Sequence, residues 1–425
     1  MVSCQSVCLR RLAAGARCGV VGFGRFLANR RVSVKAVVAG WGDAVSQVCE
    51  GRHVLAIQDT SEINFSTAAG RRRGLGEIGR GGGRGVLLHA MIGLDAGTGG
   101  VLGLVAGRVW TRRGRVKVHH NKRLLKHKES ERWVATALAA RKVLARAAMV
   151  TSISDREGDL YAAWAQAPRD GFHLLARAMK DRPVVGGAKL STAALSPAGH
   201  ADVELRARPG RPARKAHLRA RFGRVTLKKP KYLREKGLSP QVALSLVEVI
   251  ETGVPKGAQP IVWRLLTTHP VEDAAMAWRV VGWYRERWTI EQFFRTLKLQ
   301  GLQLEDSQLE TANRLIKLTA IAARAAAIVM QLVEGRDGST GQSADIVFSP
   351  PEIEALEALV PKLEGKTALQ KNPHPPRSLA WAAWVIGKLG GWDGYPKSKP
   401  PGPITMRHGL QRFLAIAEGW SLRDV

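Results

Sequence analysis

The 425-residue sequence predicts an α/β protein: a layer of strands and helices, interrupted by a mainly antiparallel β insertion and followed by a helical C-terminal region. Three observations predict it. Apolar runs of strand length, separated by turn glycines, occupy 54–110, and a helix-forming stretch and a further short strand follow them. β-type runs then fill 172–268. Beyond 305 the apolar spacing is helical, and Pro- and Gly-rich linkers at 372–376 and 394–402 divide it.

Taken in order, residues 1–50 read as a shortened N-terminal region. It is rich in arginine, and its first acid is Asp43. That composition suits a transit peptide or a misplaced start, and arginines 10, 11 and 17 interrupt any secretory apolar stretch. The four cysteines (4, 8, 18 and 49) form no CxxC pair, so the expectation is a reduced cytosolic protein with incidental thiols. Residues 51–170 hold VLAIQD (54–59), a buried strand ending on an acid, then VLLHAMIGLDA (86–96) and GVLGLVAGRVW (100–110). Between the first two lies GRRRGLGEIGRGGGRG (70–85), whose five arginines suit a mobile loop on phosphates. A helix over 128–148, the strand MVTSIS (149–154) ending at Asp155, and a helix through LYAAWAQ complete this stretch. Strand, strand, strand, helix, strand, helix is the order of a ribonuclease-H-like layer.

FHLLARAM, ADVELRAR, AHLRARFGRVTL, VALSLVEVI and PIVWRLLTT make the insertion, 171–270. A long helix occupies 271–305, and 306–425 carries helices near 310–334, 351–361, 378–389 and 405–419. A membrane span needs about twenty consecutive apolar residues. The longest candidate, 318–333, is shorter and contains Arg324, so it reads as a buried helix. Charge is the compositional outlier. Sixty-six Lys and Arg against thirty-five acids leave +31, which points to nucleic acid or an anionic membrane as partner. Two tracts concentrate it: 112–128, with eight Lys/Arg, three His and no acid, and 206–236, with thirteen Lys/Arg and only Glu235. A single charge run is usually a solvated face, but two dense runs like these are better explained by phosphate contacts that position DNA without reading sequence. The histidines at 119, 120 and 127 carry no assigned chemistry.

The sharpest motif is YRERWTIEQFFRTLK. Tyr284, Arg287, Glu291 and Lys298 are spaced Y-x2-R-x3-E-x6-K. At about 100° per residue they fall within about 60° of one another on one helical stripe. Trp283, Ile290, Phe294 and Leu297 lie beside that stripe and anchor it. A carboxylate among an arginine, a lysine and a phenol suits holding a metal against a phosphodiester, and the bland alternative is a solvated face with i,i+4 ion pairs. Asp59 and Asp155, each at a strand end, would complete a three-acid site with Glu291. Hard oxygen ligands of this kind suit Mg²⁺, with Mn²⁺ as a substitute. Asp59 could instead cap the turn at Thr60–Ser61. Glu157 and Asp159 rival Asp155, and Asp159 also suits an N-cap for LYAAWAQ.

Asp59 in VLAIQDTSEINF, Asp155 in SISDREGDLYA and the Y-R-E-K stripe together resemble DDE transposases of the insertion-sequence-four family, over roughly 22–420. The resemblance implies a ribonuclease-H-like core, metal ligation and catalysis by Asp59, Asp155 and Glu291, and phosphate contacts by Tyr284, Arg287 and Lys298. It implies cleavage at transposon ends and strand transfer into target DNA by a bacterial, cytoplasmic enzyme at the nucleoid, with no membrane. Double-stranded DNA (inverted-repeat ends and target) would be the partner, and a homodimer would assemble on it. Trp263 occupies the position of a family tryptophan that stacks on a flipped base, although a Trp in an apolar strand is ordinarily core. Arg177 resembles a family DNA-contacting arginine. The N-terminal region departs from the family, with only 58 residues before the first acid of the site. The alternatives are a truncated, non-catalytic DNA-binding product that inhibits a full-length enzyme, or another ribonuclease-H-like nuclease such as a junction resolvase.

Overall fold

The computed structural model describes all residues except 1–6, 14, 66–71, 80, 115–122, 206–212, 301, 396 and 423–425, with the backbone alone at 299 and 300. His119, His120 and part of each basic tract fall outside the described residues. Among the described residues the frame is one ten-stranded sheet. Its first part comprises β1 (His53–Asn64), β2 (Gly76–Ile78), β3 (Gly83–Asp95), β4 (Val101–Trp110), β5 (Met149–Ser154) and β6 (Phe172–Arg177). β3 runs antiparallel to β1 and β4 antiparallel to β3, whereas β5 is parallel to β1 and β6 parallel to β5.

β1 shows why the apolar run VLAI forms a strand at this position. Side chains alternate across a sheet, and here both faces are covered. Leu55 and Ile57 enter the core beneath α7 (Ala274–Arg285), α8 (Thr289–Arg295) and α9 (Ala312–Gly335). Val54 and Ala56 enter the opposite core, beneath α5 (Glu131–Val143) and α6 (Tyr161–Gln166). A strand buried on both faces reads as a continuous apolar run rather than an alternation.

The sequence expectation is corrected at three places. β1 does not stop at Asp59 but continues to Asn64 against β3, because its parallel partner β5 alone ends near there, at Ile57 opposite Ile153. The 70–85 segment is not wholly a loop. It contains β2, Arg72 donates to the carbonyls of Phe65 (2.7 Å) and Ser307, and Arg84 donates to that of Leu75 at 3.1 Å. The bounds of the β insertion shift, and its strands share the core's sheet. β6, expected within it, lies beside β5, and β10 (Val262–Thr267), β9 (Gln241–Thr252), β8 (Arg214–Lys228) and β7 (Ser196–Leu205) extend the same sheet as antiparallel neighbours.

Ion pairs knit this extension. Glu248, buried on β9, receives Arg221 from β8 and Arg264 from β10 (3.0 Å), and Glu251 receives Arg214. Buried carboxylates persist only when paired in this way.

Of the N-terminal helices, α2 (Arg17–Ala28) and α3 (Val34–Ala39) pack on α9, while α1 (Leu9–Leu12) leans on α2 and α4 (Asp43–Val48) on β4. Buried Lys317 donates to the carbonyls of Leu27 (2.9 Å) and Asn29 (2.7 Å), satisfying the end of α2, and Trp41 donates to the carbonyl of Ala320 at 3.2 Å. α9 is long and apolar enough to cross a membrane, but most of it is buried against the sheet and against α11 (Leu379–Leu389) and α12 (Pro403–Ser421), which pack with α10 (Pro350–Leu363).

Candidate active site

Strand parity aims the first acid. Asp59 continues the Leu55–Ile57 face, toward α7 and α8, while Gln58 and Thr60 take the opposite face, toward α5. Asp59 sits two residues beyond the last β1–β5 pair, where a side chain can leave the sheet without a parallel neighbour in its way. One of its oxygens accepts the Thr60 N–H at 2.7 Å, the turn-type bond expected of such an aspartate, and the other lies 3.6 Å from Arg287. The local bond and a place in a cluster therefore coexist.

Asp155 follows β5, on the parallel neighbour of β1. Its carboxylate accepts the Glu157 N–H at 2.8 Å and caps a single 3₁₀ turn, Arg156–Gly158. Gly158 permits that fold-back, since a Cβ there would stand 2.1 Å from Ser154 Oγ. Of the rival acids, Asp159 is fully enclosed: it accepts from Trp164 Nε1 (2.9 Å) and the Met179 N–H (2.8 Å) and pairs with Arg182. It caps no helix, because α6 has Leu160 at its N-cap. Glu157 is exposed and paired with Arg132 at 2.7 Å.

The Y-R-E-K segment is helical but not one straight helix. α7 ends at Arg285, Glu286–Trp288 form a 3₁₀ turn, α8 follows, and Thr296–Gln300 widen into a π turn. The single-stripe geometry is thus corrected, because over-wound and under-wound turns rotate Arg287 and Lys298 away from an ideal α phase. Arg287 and Glu291 still meet as an i,i+4 pair at 2.8 Å. Arg287, only 12 % exposed, bridges Glu291 to Asp59. Tyr284 is buried, its phenol pushed up by burial against the nearby positive charges of Arg287 and Arg177. Lys298 lines a cleft of about 1000 Å³ with Asp59, Glu62, Arg112, Arg132 and Glu305, and burial lowers the pKa of its ammonium.

The three acids share one electrostatic site. Burial and then the neighbouring Asp155 carboxylate push the Asp59 carboxyl up to about 7, and Glu291 adds to the rise against the Thr60 N–H and Arg287. Hard oxygen donors crowded until they repel fit a divalent cation by chemistry. Their spacing is not a ready-made chelate: among the described residues no three His, Cys, Asp or Glu side chains converge closely enough to hold one ion, and Arg287 occupies the space between Asp59 and Glu291.

Trp263, half-buried on β10, packs against the core and meets Tyr284 edge-on at 5.5 Å. Its neighbour Arg264 is engaged by Glu248. Arg177 donates to the Val262 carbonyl at 2.7 Å, and its charge acts on Asp155, Tyr284 and Arg287, which places it at the same site.

The basic tracts divide. On β8, Arg214 and Arg221 serve the buried glutamates, Lys215 pairs with Asp202 at 2.8 Å and Arg224 with Glu272 at 3.6 Å. Residues 232–235 of the second tract meet the first. Glu235 accepts the Leu125 N–H, and Lys128 lies 6.0 Å from the ring of Tyr232, which is 60 % exposed.

Sequence reasoning passed over Arg132, in KESERW. It reads as the solvated first turn of a helix but is buried beside Asp59, donating to Thr60 Oγ1 at 2.9 Å. Only its adjacency to Trp133 hinted at burial.

Residues 168–328 match the family described as Transposase DDE domain. That span runs from just before β6 to well into α9, and so contains Glu291 and the whole Y-R-E-K segment, while Asp59 and Asp155 precede it. The match supports a DDE transposase, and with it a transposase function acting on DNA.

Proposed function

We propose that this chain is a metal-dependent DNA transposase with a ribonuclease-H-like core, which cleaves at transposon ends and joins the freed 3′-hydroxyl to target DNA. The observation that carries the reading is that Asp155, just after β5, and Glu291, on the helix laid across the sheet, stand near enough to Asp59, just beyond the last β1–β5 pair, that both add to the rise of its carboxyl. The strand order β4–β3–β1–β5–β6, with the last two parallel to β1, supports the core assignment. These three carboxylates would hold Mg²⁺, or Mn²⁺ in its place. When bound, the metal supplies Lewis-acid activation of a water or 3′-hydroxyl and stabilisation of the leaving oxygen. The chain's own residues do the rest. Arg287, held by Asp59 and Glu291, balances the acids and would meet a phosphate. Lys298 offers a second cation in the cleft beside Asp59, and Arg177 a third near Asp155. Trp263 would stack on an unpaired base next to Tyr284. A homodimer on DNA would bring two ends together.

The test is cleavage of an inverted-repeat end from the flanks of the gene, with and without Mg²⁺. Wild type should cut only with metal. Asp59→Ala and Glu291→Ala should each lose cleavage by a factor of a thousand or so, on the scale of a lost electrostatic group, while DNA affinity stays within a few-fold. Undiminished cutting by either variant would remove that residue from the site, and metal-independent cutting by wild type would sink the reading.

A further inference from the structure

The β1–β5 backbone ladder ends at Ile57 opposite Ile153, before either aspartate. Past that pair β3 and β6 still hold the two strands from outside, and a chain of side-chain hydrogen bonds continues the direct link between β1 and β5. Arg132 Nε donates to Thr60 Oγ1 at 2.9 Å. Thr60 Oγ1 meets His89 Nδ1 at 2.8 Å, His89 Nε2 meets Gln58 Oε1 at 3.1 Å, and Gln58 Nε2 donates to Ser152 Oγ at 3.2 Å.

One assignment of protons satisfies every link. The Gln58 carbonyl can only accept, so His89 carries its proton on Nε2 and accepts at Nδ1 from the Thr60 hydroxyl. That hydroxyl keeps a lone pair for Arg132. The imidazole must be neutral for this, and its complete burial beside Arg132 and Arg108 keeps it so. Gln58 and Thr60 flank Asp59 on the face opposite to it, and Ser152 lies on the strand that delivers Asp155. Arg132 closes the other side, donating to the Glu129 carbonyl at 2.9 Å and to Glu157, two residues past Asp155, at 2.7 Å.

We propose that the Arg132–Thr60–His89–Gln58–Ser152 chain is a clamp holding the β1 and β5 segments that carry Asp59 and lead to Asp155 in register, with Arg132 as a positioning residue for the metal-binding carboxylates. This rests on the transposase reading above. Partners that hydrogen-bond a metal ligand directly govern affinity by about 10- to 100-fold; the clamp acts through the backbone one bond further out, so its effect belongs at the low end of that range.

The experiment compares wild type with Thr60→Val, Thr60→Ser and Arg132→Ala. Mn²⁺ binding to the DNA-free protein would be measured by electron paramagnetic resonance, alongside DNA affinity in EDTA and the Mg²⁺ dependence of cleavage. Thr60→Val nearly keeps shape while breaking the chain in its middle, so it remains informative should Arg132→Ala fold poorly. The expected result is Mn²⁺ affinity lowered about tenfold or more in Thr60→Val, with the Mg²⁺ half-saturation for cleavage raised in proportion, DNA affinity within twofold, and recovery in Thr60→Ser. Wild-type Mn²⁺ affinity in a folded Thr60→Val overturns the clamp alone. Failure of wild type to bind Mn²⁺ overturns the active-site reading and the clamp with it.

Discussion

Three acids stand within five residues in DREGD, and their surroundings give them different work. Asp155 projects from a capped turn into the field of Asp59, Glu157 is held by Arg132, and Asp159 is locked among Trp164, Met179 and Arg182. The consequence is a separation of phenotypes. Asp155→Asn preserves the acceptor for the Glu157 N–H and should melt as wild type does, while losing cleavage. Asp159→Asn leaves the Arg182 charge without its partner in a buried setting, where broken pairs cost about 3–5 kcal/mol. It should therefore lower the melting temperature markedly. Thermal melts paired with a cleavage assay decide it. Active Asp155→Asn together with folded but inactive Asp159→Asn would exchange the two roles.

At the scale of elements, the parallel strands hold a second polar cluster at the end opposite to the acids. His53 of β1 and His269, after β10, both bond Thr151 Oγ1 of β5, at 2.8 and 2.7 Å, and His269 stacks on His173 of β6 at 3.9 Å. Trp283 of α7 closes the cluster against His53 and His269. Burial, and then the neighbouring histidines, lower His53 to about 4 and His269 to about 3, and burial lowers His173 too. Unfolded histidines titrate near 6.5. Between that value and the folded values the unfolded chain binds more protons, so stability is full above about 6.5 and falls as pH drops toward 4 and 3. Urea midpoints from pH 7 to pH 4 should show that fall. His269→Gln should flatten it, and an unchanged slope in that variant would show that other groups control the acid limb.

The whole molecule decides which part of its charge is available to a partner. On β8 the positive residues are largely consumed by Glu248, Glu251, Asp202 and Glu272. Residues 123–128 and 228–236, about a hundred positions apart in the chain, instead converge around Glu235 and Tyr232. Arg112, paired with Glu129 at 2.8 Å, lines both the groove that holds Lys126 and Lys128 and the cleft that holds Asp59. A duplex leaving the acids would meet this surface first. Neutralising Lys126, Lys231, Arg234 and Lys236 to Gln should flatten the dependence of DNA affinity on salt by about 0.9 for each phosphate left without its cation. Neutralising Lys215 and Arg224 should leave the slope unchanged. The reverse pattern would move the DNA path to β8.

What the sequence determined by itself is local. VLLHAMIGLDA, MVTSIS and the C-terminal helices follow from apolar period and turn residues, and they lie within a few residues of the observed β3, β5, α9, α10, α11 and α12. The Arg287–Glu291 pair follows from helical spacing alone. Sequence could also nominate Asp59, Asp155 and Glu291, because an acid after an apolar run and an acid in a basic helix are visible in one dimension. Tertiary structure decided the rest, since those features depend on partners far away in the chain. Whether β1 stops at Asp59 depends on β3, which continues alongside it, and on β5, which does not. Whether β6 belongs with the core depends on pairing across the sheet. The π turn at Lys298 and the burial of Tyr284 come from packing rather than propensity. Arg132 is the clearest case. In KESERW only the adjacent Trp133 hints at burial, and Arg132 acquires its position when α5 sets it against Thr60, seventy-two residues earlier, and Glu157, twenty-five residues later.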